Sequence, residues 1–219
     1  MTLSIYRLNT RRRHEQVILS VLRDALTNLI ALKKFDEDSY EDDITVELIN
    51  EIHKELMPVE TSFTVVFDCK NQPIPGQPRD LEREKKRPDI QFQWVNHEAQ
   101  SYMERQSEYI VECKRLRSGK TWNKDYVKKG IKRFIHAEHG YAKGSESAAM
   151  IGYIQNSEPD SILNDVNCTL EEVSHPPLVK SQENWIARGV ARLYHSVYRT
   201  EILPCNFTLN HLWADMRRL

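Results

Sequence analysis

The sequence predicts one mixed α/β domain: a mixed central sheet flanked by helices, with an extra N-terminal helix. Two observations carry this expectation. Up to Pro58, apolar residues recur at helical spacing; beyond it the period shortens to two, and Val, Thr and aromatic residues take over. Further on, strand-like and helix-like segments alternate, and neither a repeat nor a low-complexity linker divides the chain. A length of 219 residues suits a single domain, 1–219, with its own core.

The elements follow in order. Asn9 or Thr10 can cap a first helix over about 10–34, with Val17, Ile18, Val21, Leu22, Ala25, Leu26, Leu29 and Ile30 on its apolar stripe. That stripe suits a core face or a contact between copies in a homo-oligomer. Ser39 can cap a second helix that carries Ile44, Leu48, Ile52 and Leu56 and is stopped by Pro58. Residues 61–67 read as a strand, and Pro73, Pro75, Gly76 and Pro78 as a loop. A second strand spans about 88–95, where Ile90, Phe92 and Trp94 alternate with Gln91 and Gln93, and a third spans 109–113. A helix is expected over 122–139, a strand over 148–154, a further helix over 185–198 and a last strand over 207–212. The C-terminal helix and strand together cover about 182–213.

Composition narrows the function classes. No apolar run reaches the roughly 18 residues of a spanning helix, so no membrane partner is expected. Met1 to Arg13 has no apolar signal core. Cys69, Cys113, Cys168 and Cys205 are widely spaced and form no C-x-x-C pair, which argues for reduced thiols and a cytoplasmic protein. No P-loop motif is present.

Two short pieces carry chemistry. Pro88-Asp89 opens the second strand, and Glu112-Cys113-Lys114 closes the third. Residues two apart in a strand share a face, so Glu112 and Lys114 point the same way. A carboxylate beside an ammonium on an apolar strand is costly to bury without a partner. Asp89, on the neighbouring strand, completes a set. Two carboxylates converging on one point suit Mg²⁺ or Mn²⁺, provided they lie within about 8 Å of each other.

Pro88, Asp89, Glu112 and Lys114, with their strand context, resemble the PD-(D/E)XK nuclease superfamily and its restriction-endonuclease-like fold. The likeness covers about residues 39–155: a helix, a three-stranded meander with Asp on its second strand and ExK on its third, a helix and a further strand. It implies a metal-dependent DNA endonuclease in which Asp89 and Glu112 hold the metal and Lys114 positions the attacking water. It implies a further carboxylate from the preceding helix. Glu41 falls near the middle of the Ile44–Leu48–Ile52 face and is the first choice, with Glu51 next. Small chains of this superfamily act in prokaryotic antiviral defence or restriction, often with a regulatory or motor protein subunit. The alternative is a catalytically inactive nuclease-fold subunit that binds nucleic acid or assembles with a partner protein.

The formal net charge of −1 conceals a sharp separation. Between Asp36 and Glu60 there are ten carboxylates against one lysine, a net −9. Between Lys114 and Arg133 there are nine bases against one acid, a net +8. Arg83, Lys85, Lys86 and Arg87 lead into Pro88-Asp89. Basic charge flanking the carboxylates suits a phosphate backbone. Arg87, Tyr126, Lys129 and Arg133 are the expected nucleic-acid contacts. No aromatic platform for single strands is evident, so DNA is favoured over RNA.

Overall fold

The computed structural model describes residues 2–57, 63–68, 87–95, 106–181 and 189–217, with the backbone alone for 2–10, 106 and 120. Two helices lead: α1 (Thr2–Ala31) and α2 (Glu41–Leu56). Then come β1 (Thr64–Phe67), β2 (Ile90–Val95) and β3 (Gln106–Leu116). A composite helix follows: α3 (Lys120–Asp125), a π-helical stretch (Tyr126–Ile131) and α4 (Lys132–Ile135). The chain finishes with β4 (Ser147–Ile154), α5 (Pro159–Glu172), β5 (Val179–Lys180), β6 (Val190–Tyr198) and β7 (Asn206–Asp215). The strands form one seven-stranded mixed sheet in the order β1-β2-β3-β4-β7-β6-β5. β1, β2 and β3 pair antiparallel, β3 and β7 flank β4 in parallel, and β6 returns antiparallel on β7.

Both faces of the sheet are covered, which is why all eight residues of β4 are buried. On one face, Leu22, Leu26 and Leu29 of α1 and Ile44, Leu48 and Ile52 of α2 meet Phe92, Val111, Cys113 and Ile151. On the other, Tyr126, Val127, Ile131 and Phe134, with Ile162, Val166 and Leu170 of α5, meet Ile110, Leu116, Met150 and Trp213. The inward residues of β3 thus alternate: Tyr109, Val111 and Cys113 serve the first layer, Ile110 and Leu116 the second.

Several expectations are corrected. The first helix, expected over about 10–34, runs from Thr2 to Ala31, so Asn9 and Thr10 lie inside it and not at its N-cap. The helix expected over 185–198 is strand β6 from Val190 onward. Ala191, Leu193, His195 and Val197 point inward on a period of two, and the interleaved residues are more exposed. Trp185 lies outside the described residues, as do Cys69, the Pro73–Pro78 segment and Arg83, Lys85 and Lys86. Helix α5 was not anticipated, although Pro159 stands at its start and Ile162, Leu163, Val166 and Leu170 mark its buried side. β3 runs three residues beyond Cys113, so Lys114 lies inside the strand. The composite helix ends at Ile135, and His136 leaves it in extended backbone. Ser39 does not cap α2. Its hydroxyl closes a turn by donating to Asp36 Oδ1 at 3.0 Å and accepting the Asp36 N–H at 2.9 Å, and Tyr40 takes the N-cap position.

Candidate active site

The C-terminal half of β3 gathers the charged residues. Glu112 and Lys114 alternate with Cys113, so both side chains leave the sheet on the α3–α4 side. Asp89 enters from the residue before β2. Its Oδ2 accepts the Cys113 backbone N–H at 2.6 Å, which pins the carboxylate to β3. Glu41 arrives from the first residue of α2, where the free N–H groups of the helix start favour a carboxylate.

Lys114 Nζ lies among these carboxylates. It is 2.8 Å from Glu41 Oε1, 3.1 Å from Glu112 Oε1 and 3.9 Å from Asp89 Oδ2. It also donates to the Cys113 carbonyl at 2.6 Å. The other Glu41 oxygen accepts the Arg115 backbone N–H at 2.9 Å. A second cation closes the far side: Arg133 of α4 donates to Glu112 Oε1. Glu112 is fully buried, and its Oε2 has no hydrogen-bond partner among the described residues.

Electrostatics follow from burial. Loss of water, then the charge of Asp89, push the Glu112 carboxyl up to about 8, and Lys114 and Arg133 offset this in part. Burial also raises Asp89, against the pull of Lys114 and the Cys113 N–H. Burial works against the charge of Lys114, but Glu112, Asp89 and Glu41 outweigh it and hold the ammonium above the ordinary lysine value. The Arg133 guanidinium is likewise desolvated, yet Glu112, Tyr141, Asp89 and Glu41 together outweigh this and raise it above the ordinary arginine value.

The donor set fits a hard divalent cation in chemistry. Asp89 and Glu112 offer carboxylate oxygens, and Glu112 Oε2 is a buried acceptor without a donor among the described residues. The two carboxylates cannot lie farther apart than the sum of their distances to Lys114 Nζ, which is below the limit of about 8 Å for sharing one ion. Glu41 is already engaged by Lys114 and Arg115. Among the described residues, no three His, Cys, Asp or Glu side chains are placed together to hold a metal.

The structure sorts the expected contacts. Asp89, Glu112, Lys114 and Glu41 come together. Glu51 does not; it is buried along α2 and pairs with Lys54 at 2.6 Å. Arg133 reaches Glu112. Lys129 is exposed and pairs with Asp125 at 2.7 Å. Arg87 is exposed and pairs with Asp68 at 2.7 Å. Tyr126 is a correction: it is fully buried, its hydroxyl meets His211 Nδ1 at 2.7 Å and accepts the Trp213 Nε1–H at 2.9 Å. It belongs to the core and offers no surface to a nucleic acid. Tyr141 was missed. It is buried with its ring 5.8 Å from the Arg133 guanidinium, and no spacing in the sequence marks it.

No protein-family model, curated protein or solved structure matches the chain.

Proposed function

We propose that the chain is a metal-dependent DNA endonuclease of the PD-(D/E)XK type. The observation that carries the reading is the convergence of Glu41, Asp89, Glu112 and Lys114 from three separate elements onto one end of β3. The order of α2, the β1–β2–β3 meander, the composite helix and parallel β4 supports it, because the resemblance implies that same order.

Asp89 and Glu112 would hold Mg²⁺ or Mn²⁺. When bound, such an ion neutralises phosphate charge and acidifies a water molecule. Lys114 supplies a fixed ammonium that can orient the attacking water and stabilise charge developing on the phosphate. Glu41 holds that ammonium in place at 2.8 Å. Arg133 adds a second positive charge beside Glu112. Arg87 and Lys129 are solvent-exposed cations suited to flanking phosphates.

The test is nicking of supercoiled plasmid and of linear DNA with Mg²⁺, Mn²⁺ or EDTA, using wild type, Asp89→Ala and Lys114→Ala. Metal-dependent cleavage lost in both variants is expected. Cleavage that survives both substitutions removes the site assignment, and a wild type inert on every DNA removes the nuclease reading.

A further inference from the structure

Beside the carboxylates lies a surface that the nuclease reading does not use. Arg115 follows Lys114 on β3, and although strand parity sends its Cβ to the opposite side, its guanidinium reaches residues from both layers. Its guanidinium carbon lies 4.5 Å from the Trp122 ring centre and 5.9 Å from that of Tyr40. Arg117 approaches the same Trp122 ring at 5.4 Å. Tyr40 is 70% exposed and Trp122 36% exposed. The two aromatic residues come from opposite layers, Tyr40 from the start of α2 and Trp122 from α3.

Arg115 has one structural task, donating to the Ser39 carbonyl at 3.3 Å, but folding gives no reason for an aromatic ring at position 40. Tyr40 stands at the α2 N-cap, where Ser, Thr, Asp or Asn would bond the free N–H groups, and it makes no capping bond. Most of its ring remains in water. Cationic guanidinium planes and exposed π faces side by side attract a flat aromatic ring next to an anion. The segment from Lys114 to Arg133 that supplies Arg115, Arg117 and Trp122 carries a net +8. In a duplex the π faces of the bases are stacked on one another, so only an unpaired base can use such a surface.

We propose that Tyr40, Arg115 and Trp122 form a stacking surface for an unpaired nucleobase adjoining the reacting phosphate, so that the site takes single-stranded or locally unpaired nucleic acid. This rests on the nuclease reading for its placement, since Tyr40 adjoins Glu41 and Arg115 adjoins Lys114. Stacking is indifferent to base identity, so the surface selects strand state, not sequence.

The test is fluorescence anisotropy in EDTA with labelled oligo(dT), oligo(U) and a duplex of equal length. Wild type is expected to bind a single strand more tightly than the duplex. Tyr40→Ala and Trp122→Ala should each weaken single-strand binding about ten-fold, with the duplex affected far less, and Tyr40→Phe should restore it. Either single strand showing this loss supports the surface, and the tighter of the two assigns the sugar. If Trp122→Ala fails to fold, the exposed position of Tyr40 lets Tyr40→Ala decide. Unchanged oligo(dT) and oligo(U) affinity in the folded variants overturns the proposal, as does a wild type that prefers duplex. Metal-dependent cleavage of plasmid, oligo(dT) and oligo(U) by the same preparations keeps the two readings apart. Nicking with no effect of the aromatic variants removes the stacking surface alone. The aromatic effect without cleavage of plasmid, oligo(dT) or oligo(U) removes the nuclease alone.

Discussion

Glu41 and Lys114 are 73 residues apart in the chain and 2.8 Å apart in the fold. The contact ties the start of α2 to β3 and fixes the ammonium beside Glu112. Under the nuclease reading, Glu41→Gln keeps an acceptor for the Arg115 N–H but loses the charge that holds Lys114. Initial rates of plasmid nicking should fall by about 10- to 100-fold. Asp89→Ala and Lys114→Ala should fall further, by about 10²–10³-fold or more. A Glu41→Gln rate equal to wild type would show that Lys114 needs no such anchor.

Glu112 gives a pH dependence of stability with a definite sign. Its folded value is raised to about 8, above the ordinary carboxyl value of 4.5. Between those values the native state binds a proton that the unfolded chain releases, so this contribution to stability declines as pH rises from about 4.5 to about 8, then levels off. Glu112→Gln removes the titration. Its stability relative to wild type should grow by up to about 1.4 kcal/mol per pH unit across that window. Urea denaturation at several pH values measures this, and a constant difference would contradict it.

Two core histidines act in the opposite direction. His195 and His211 are fully buried with ring centres 5.8 Å apart. Burial lowers His195 to about 4 and lowers His211 well below its ordinary 6.5. Below about pH 6.5 the unfolded chain takes up protons that the native rings refuse. Stability should therefore drop on acidification, by up to about 1.4 kcal/mol per histidine per pH unit, with the His195 share ending near pH 4. His195→Gln and His211→Gln should each flatten the slope between pH 6.5 and 4 in urea titrations, whatever they do to stability at neutral pH.

Arg199 is fully buried and serves as a backbone clamp. Its guanidinium donates to the carbonyls of Ser145 at 2.9 Å and Pro204 at 2.8 Å, with longer bonds to Phe134 and Ala142 at 3.4 Å. It also lies 3.9 Å from the Phe207 ring centre. Burial holds it down to about 10, still charged at neutral pH. Arg199→Met strands several carbonyls and should cost about 2–4 kcal/mol by chemical denaturation. Arg199→Lys should recover little, because an ammonium lacks the planar fork. A loss below about 0.5 kcal/mol would mean water replaces the clamp.

The parts of the site built on simple periods were legible in the sequence. β2 alternates cleanly, so Pro88-Asp89 could be placed at its start. The parity of Glu112 and Lys114 put them on one face, and the projection of α2 singled out Glu41 over Glu47. Where the period is ambiguous, reading failed. Val190, Ala191, Leu193 and Val197 fit both a helical stripe and a buried strand, and pairing with β7 settles them as strand. Tyr126 misled for another reason. It begins a π-helical stretch, where a 100° projection does not apply, and its hydroxyl finds two partners on β7 that no local pattern reveals. The Tyr40–Arg115–Trp122 cluster joins residues from three elements, so no spacing could show it.

The burial of β4 bears on which parts of the molecule open first. Amide hydrogens at the centre of a sheet covered on both faces exchange slowly, through openings that approach global unfolding, whereas short edge strands fray. β1 and β5 are those edges, and β3 hydrogen-bonds to β4 along Val111–Leu116. Glu112 and Lys114 therefore ride on the last ladder to come apart. The molecule can loosen at its rims while its cluster of opposed charges keeps its shape.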